Sequence, residues 1–347
     1  MSGAAASGGF RKLQLLAWET TQACSLACPH CRASACPVRP EGELTTEEGK
    51  KLLREAARVG PGIVILSGGE PLLREDLEEL ARAATENGQM PVVSTNDGAM
   101  LTADRIGSLK AAGVKRFSFS IHGPTPDVHD PFVGRPGAYA QACGAFERLK
   151  GAGVEFQVNT TVMHANCEKL AEMHAFAVDR GAAAWHLFFI VPMGRAAGPG
   201  ASAMLDDLGV ERVLEWVARR ADASPIPIKV TCAPQYARVR ARLGLKQTGH
   251  GRGCMAGDGF AFVSSRGDVK PCGYFERTVG NVRERPFDEL YRDAPLFTDL
   301  RNLELLGGRC GGCPFKRLCG GCRARALAMA QDHLAEDPTC TYDFPET

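Results

Sequence analysis

Cys24-Ser25-Leu26-Ala27-Cys28-Pro29-His30-Cys31 sets three thiols at x3 and x2 spacing. Three thiolates this close can converge on one iron–sulfur cube, which normally takes four. No fourth cysteine continues the tight spacing, so one iron is expected to stay open for a small molecule. Cys36 follows in a looser stretch beyond Pro29 and His30. A zinc site or three plain buried cysteines is the alternative for this stretch alone. A second feature is Gly68-Gly69-Glu70-Pro71, which follows the apolar run Ile63-Val64-Ile65-Leu66. Two glycines let the backbone approach a ligand closely, and Glu70 adds a carboxylate suited to an ammonium. An ordinary strand-to-helix turn explains the tetrapeptide equally well. A third set lies near the C-terminus. Cys254 is followed by Gly267 and Cys272, then by Cys310-x2-Cys313-x5-Cys319-x2-Cys322 and Cys340. Paired x2 spacings suit tetrahedral zinc as well, but seven cysteines exceed one zinc site.

These groups need elements to hold them. Leu13 to Thr20 alternates weakly and leads as a strand into the first cysteine loop. Leu44-Thr45-Thr46-Glu47-Glu48 starts a helix with a threonine cap and acidic residues in its first turn. Strands are expected at Ile63–Leu66, Val92–Ser94, Phe117–Ile121, Phe156–Val162 and Trp185–Val191. Helices fall between them at Asp76–Asn87, Thr102–Ala112, Ala138–Lys150 and Lys169–Arg180. Six strands alternating with helices predict a parallel α/β sheet or barrel. Functional residues of such folds sit at the C-terminal ends of strands, where the cysteine loop and the Gly-Gly-Glu turn both fall. Gly194 to Gly200 reads as a loop, and Leu208–Arg220 as a further helix. From about Gly251 turns replace long helices. The expected division is a disordered tail at 1–12, a barrel at 13–200, a bridging region at 201–250 and a cysteine-rich unit at 251–347.

The chain has 347 residues, enough for about two domains. Its 41 basic and 40 acidic residues nearly cancel, and no polybasic run suggests nucleic acid or an anionic membrane. No signal peptide or membrane-spanning run is apparent. Fourteen cysteines without an export signal point to a reducing, cytoplasmic setting, where clustered thiols read as metal ligands.

The Cys-x3-Cys-x2-Cys loop after a first strand, with Gly-Gly-Glu-Pro after the second, resembles the radical SAM enzymes. Resemblance implies a partial (β/α)6 TIM-type barrel and a [4Fe–4S] cluster held by Cys24, Cys28 and Cys31. The cluster's open iron would chelate S-adenosylmethionine (SAM), whose one-electron cleavage yields a 5′-deoxyadenosyl radical. Gly68, Gly69 and Glu70 then belong to the SAM site. Ser120 and Asn159 match polar SAM-contact positions, Thr95 and Asn96 end the third strand, and Arg195 is placed to meet the SAM carboxylate. The residue before the third cysteine is usually a larger aromatic, and His30 stands there. The C-terminal cysteines resemble the SPASM module of one or two auxiliary iron–sulfur clusters. By that resemblance Cys310, Cys313, Cys319 and Cys340 hold one cluster. Cys254, Cys272 and Cys322 hold the other, with a fourth ligand unassigned. Cys36, Cys143, Cys167 and Cys232 remain as plain small residues or free thiols.

Ala17-Trp18-Glu19-Thr20, Phe189–Arg195, Cys272-Gly273-Tyr274, Gly280-Asn281-Val282-Arg283 and Cys322–Ala326 resemble strings of the heme-forming radical SAM decarboxylases. The activity this implies is oxidative decarboxylation of Fe-coproporphyrin III propionates to vinyl groups, giving heme b. The implied partners are an iron tetrapyrrole and an electron donor such as flavodoxin or ferredoxin. A tetracarboxylate needs cationic anchors, for which Arg32, Arg135, Arg252 and Arg323 are candidates. Modification of another tetrapyrrole side chain or of a ribosomal peptide stays open. Only 23 residues precede Cys24, few for a peptide-recognition domain. A non-catalytic electron carrier would leave Gly68-Gly69-Glu70 without a purpose.

Overall fold

Thr45 caps the first helix reciprocally with Glu48. The Glu48 N–H donates to the Thr45 hydroxyl, and the Glu48 carboxylate accepts from the Thr45 N–H at 2.8 Å. The computed structural model describes residues 11–60, 62–247 and 252–344. Most of the expected tail, residues 1–10, and residues 248–251, the end of the bridging region with the first residue of the cysteine-rich unit, lie outside the described residues.

The strands are β1 (Leu15–Glu19), β2 (Ile63–Ser67), β3 (Met90–Thr95), β4 (Arg116–Ser120), β5 (Glu155–Val162), β6 (Trp185–Phe189), β7 (Ile228–Thr231), β8 (Phe260–Val263), β9 (Asp268–Lys270) and β10 (Gly280–Asn281). Through the sixth strand the helices are α1 (Thr46–Val59), α2 (Leu77–Glu86), α3 (Ala103–Ala111), α4 (Pro126–Val133), α5 (Ala138–Gly151) and α6 (Leu170–Asp179). Then come α7 (Asp207–Ala221), α8 (Gln235–Arg242), α9 (Phe287–Asp293), α10 (Pro295–Arg301), α11 (Gly308–Gly312) and α12 (Arg323–Ala330). One sheet holds all the strands, in the order β10-β9-β8-β1-β2-β3-β4-β5-β6-β7. From β8 to β7 every neighbouring pair is parallel, while β9 and β10 continue antiparallel beyond β8.

The parallel α/β architecture is the one expected, with two additions. β7 lies in the supposed bridging region, and β8 lies beside β1 although it belongs to the cysteine-rich part. Both are four residues long, too short for alternation to announce them. α4 also appears between β4 and α5, its helical run passing through Pro131. α5 ends at Gly151, one residue beyond the expected Lys150.

Period-2 alternation fixes which face looks inward. Phe119 and Phe156 both pack on the α5 side through Phe146, with ring centroids 5.2 and 4.3 Å apart. Ser118, Ser120, Gln157 and Asn159 therefore face the other side of the sheet, away from α5. The register sets Ser120 beside Asn159 and Asn159 beside His186. The main core lies between strands and helices and includes Trp18, Leu53, Phe117, Phe146, Trp185 and Leu214.

Candidate active site

The first cysteine loop starts where β1 ends. Its ends are pinned together by the Cys24 N–H donating to the Cys36 carbonyl (2.8 Å) and the Cys36 N–H donating to the Gln22 carbonyl (3.1 Å). The Gly-Gly-Glu turn after β2 runs alongside. The Gly69 N–H donates to Thr21 O at 2.7 Å, and the Glu70 N–H to Ala23 O at 2.6 Å. A Cβ on Gly69 would stand 2.2 Å from Ala23 O, so the glycine is required by the approach of the cysteine loop itself.

Glu70 is buried beneath this turn. Its carboxylate accepts from Leu72 N (3.0 Å), the Thr95 hydroxyl (2.7 Å), Asn96 N (2.9 Å) and Asp97 N (3.0 Å). Four acceptor positions are what a carboxylate has. Burial pushes its pKa up, against the pull of these donors. Asn96 passes the link on, its side-chain oxygen accepting from Ser120 N at 2.9 Å. Asn159 accepts from the Gln157 amide at 3.0 Å. Glu70, Thr95, Asn96 and Ser120 thus meet at adjoining C-terminal strand ends, and the register sets Asn159, within β5, beside Ser120.

Gly194 and Arg195 close the loop from the β6 side. Arg195 N donates to Cys31 O (3.0 Å), and its guanidinium donates to Cys28 O and Ala35 O, both at 2.8 Å. Two of its five N–H groups are thereby committed to the cysteine loop. Cys24, Cys28 and Cys31 share one apolar cluster with Leu26, Phe132, Val133 and Met163. Burial, then the charges of Glu70 and Cys31, push the Cys24 thiol up to about 11. Burial and the other two thiols push Cys28 up to about 12, with Arg195 opposing. Three thiolates in such a place repel one another unless a cation lies among them, and iron supplies that charge. The donor set fits a cluster.

His30 lies against the rings of His122 and Phe132, at centroid distances of 4.8 and 4.6 Å. The His122 ring stacks on Phe132 at 4.2 Å, and the His122 backbone N–H donates to His129 Nδ1 at 3.1 Å. The walls of the first cysteine loop are therefore a histidine-rich apolar layer built partly by α4, an element the spacing of residues did not reveal.

The C-terminal cysteines separate into two places. Cys310, Cys313, Cys319 and Cys340 line one cavity with Gly320 and Gly321. Cys254 and Cys272 pack with Cys322 in a different apolar cluster that includes Val191, Ala256 and Phe275. Cys319 and Cys322 have only two residues between them yet face different sites. Gly320 and Gly321, both left-handed at φ +68° and +64°, make that reversal. A Cβ on Gly321 would stand 2.9 Å from Asp337 Cβ and 3.0 Å from Cys310 Sγ. Burial pushes Cys322 up to about 11, with Asp337 and Cys254 adding to it against Arg325.

Cys232, set aside above as a plain small residue, packs against that second cluster, as Cys254 and Cys272 do. The four candidate anchoring arginines all have partners within the chain. Arg32 pairs with Glu19 at 2.9 Å and lies over the Phe262 ring. Arg135 bonds Asp97, Ser25 and Gln141, and Arg252 pairs with Asp258. Arg323 is buried and donates to the carbonyls of His333 and Ala335. A buried arginine is indistinguishable from a surface one by residue type.

An eight-stranded parallel sheet with a cysteine loop after its first strand, followed by a cysteine-rich segment, defines a radical SAM/SPASM architecture. Residues 18–177 match the radical SAM superfamily, and residues 254–323 match an iron–sulfur cluster-binding domain, SPASM. The chain is 43% identical to an AdoMet-dependent heme synthase of Methanosarcina barkeri over 95% of its length and 96% of the relative. It is 44% identical to one of Oleidesulfovibrio alaskensis, over 95% and 87% of the two chains. SuiB of Streptococcus suis, solved with S-adenosylmethionine bound, shares the fold at a TM-score of 0.76 and 18% identity, over 96% of this chain and 78% of that one. The chain belongs to the radical SAM superfamily and, within it, to the family that includes the AdoMet-dependent heme synthases. It is an enzyme of radical chemistry whose cofactors are a [4Fe–4S] cluster, SAM and auxiliary iron–sulfur clusters. Among the described residues no helix is long and apolar enough to cross a membrane.

Proposed function

We propose that this enzyme makes heme b by oxidative decarboxylation of two propionates of Fe-coproporphyrin III to vinyl groups. The observation that carries this reading is the identity of 43–44% to AdoMet-dependent heme synthases across 95% of the chain. Each event removes a hydrogen atom from the propionate β-carbon, carbon dioxide and one electron. The bound SAM and its cluster supply the hydrogen-abstracting radical.

In this reading Cys24, Cys28 and Cys31 hold the SAM cluster. Gly68 and Gly69 keep the cysteine loop in place, and Glu70 ties β2 to the ends of β3 and β4. Thr95, Ser120 and Asn159 present polar groups along the SAM side of the sheet. Arg195 holds the cluster loop by its carbonyls and places positive charge beside the SAM carboxylate. Cys310, Cys313, Cys319 and Cys340 hold one auxiliary cluster, and Cys254, Cys272 and Cys322 belong to the other. The auxiliary cluster these cysteines hold would supply an acceptor for the substrate electron, and a flavodoxin or ferredoxin would supply the electron for SAM cleavage.

The test is anaerobic incubation of the reconstituted enzyme with SAM, a reductant and Fe-coproporphyrin III, followed by mass spectrometry. Two successive losses of carbon dioxide with hydrogen are expected, together with 5′-deoxyadenosine. SAM cleavage with an unaltered tetrapyrrole would overturn the substrate.

A further inference from the structure

Cys232 follows the last residue of β7, which is an edge of the parallel sheet. Its backbone is left-handed, with φ +64°, one of three non-glycine positions so placed among the described residues. Such a conformation is uncommon for a non-glycine residue and persists where surrounding structure imposes it. The imposing contacts are visible. Arg325 Nη2 donates to the Cys232 carbonyl at 2.7 Å and to the Ile190 carbonyl at 3.2 Å. The same guanidinium pairs with Asp337 at 3.3 Å. Asp337 in turn accepts from the Cys322 N–H at 2.6 Å and from the Gln235 amide at 2.8 Å. The end of β7 is therefore fastened, through one buried ion pair, to the backbone of Cys322.

Cys254 reaches the same place by packing. A Cβ on Gly253 would lie 2.7 Å from Pro234 Cβ and 2.8 Å from Cys319 O. The residue before Cys254 thus rests on the residue two beyond Cys232. Cys232, Cys254 and Cys272 all pack on the apolar cluster that contains Cys322.

We propose that Cys232 is the fourth thiolate ligand of the auxiliary iron–sulfur cluster held by Cys254, Cys272 and Cys322. On ligation the Cys232 thiol gives its proton to solvent and an iron–sulfur bond forms, with no electron transferred. The cluster is then closed by four cysteines and has no open iron for substrate. It acts by electron transfer alone. This rests on assigning Cys254, Cys272 and Cys322 to one cluster and does not depend on the substrate.

The experiment compares full-length wild type, Cys232→Ser and Cys272→Ser, each reconstituted anaerobically. Iron and sulfide content, Mössbauer and EPR spectra, and SAM cleavage are measured. Cys232→Ser should alter the auxiliary-cluster spectrum or lose roughly four irons per chain, as Cys272→Ser does, while SAM cleavage continues. Wild-type iron and spectra in Cys232→Ser, with a cluster lost in Cys272→Ser, would overturn Cys232 and leave the other ligands standing. Unchanged spectra in both would overturn the three-cysteine assignment and Cys232 with it. A measurement on wild type guards against misfolding of the variants. With SAM saturating the first cluster, added cyanide should leave the auxiliary EPR signals unchanged. A new cyanide-dependent signal would show an open iron and overturn the proposal.

Discussion

Glu70 stands beside the first cysteine loop, and its carboxylate is wholly engaged by Leu72, Thr95, Asn96 and Asp97 of its own chain. Glu70→Gln should therefore act on the scaffold. An amide in place of one carboxylate oxygen turns a donor toward backbone N–H groups, leaving at least one buried N–H without an acceptor. The expected loss is about 1–3 kcal/mol of stability, read as a lower urea midpoint under anaerobic conditions. An unchanged midpoint would show that the four bonds are not what holds the strand ends together. Arg195 teaches the same lesson, because its position beside the first cysteine loop follows from bonds to Cys28 O and Ala35 O.

At the scale of elements, α4 brings His129 and Phe132 against His122 at the end of β4. Burial lowers His129 to about 4 from an ordinary 6.5, and it lowers His122 well below that value as well. Both imidazoles are neutral in the folded protein at neutral pH. On unfolding they regain their ordinary affinity and take up protons between about pH 6.5 and about pH 4. The stability that their burial as neutral rings supplies is present above pH 6.5 and is lost as pH falls through that window. The urea midpoint should drop between about pH 7.5 and about pH 5.5. His129→Asn keeps an acceptor near the His122 N–H and removes one titrating group, so its drop should be smaller. Equal drops in the two proteins would place the pH dependence elsewhere.

Across the whole molecule, Arg325 and Asp337 join the sheet to the C-terminal segment. Their side chains are 2% and 0% exposed. Together they bind Ile190 and Cys232 at the ends of β6 and β7, Gln235 of α8, and Cys322. Removing one partner leaves an uncompensated buried charge, a loss of about 3–5 kcal/mol. Asp337→Asn should show that loss in denaturation and should make the C-terminal segment the first to be cut in limited proteolysis. A loss below about 1 kcal/mol, the range of an exposed pair, would mean that the hydrogen bonds outweigh the charge. Arg283 makes a second, more exposed tie, a two-point bond to Glu48 in the first turn of α1 at 2.7 and 3.0 Å.

Cluster chemistry was legible in the chain because ligand spacing is local. Cys24, Cys28 and Cys31 sit in one eight-residue loop, and Gly68-Gly69-Glu70 directly follows an apolar strand. The alternation of Ile63–Leu66, Val92–Ser94 and Phe117–Ile121 with helices likewise declared a parallel sheet, since periodicity is a property of neighbours in sequence. What required tertiary structure was every relation between distant segments. β7 and β8 take their places at the two edges of the parallel run by pairing with strands already there, as their four residues have too little pattern of their own. Arg325 and Cys232 meet across 93 positions, and no spacing rule reaches that far. The buried roles of Arg323 and Arg325 were hidden for a related reason. An arginine's charge suggests solvent or substrate, and only the packed chain shows that carbonyls and a carboxylate already satisfy it.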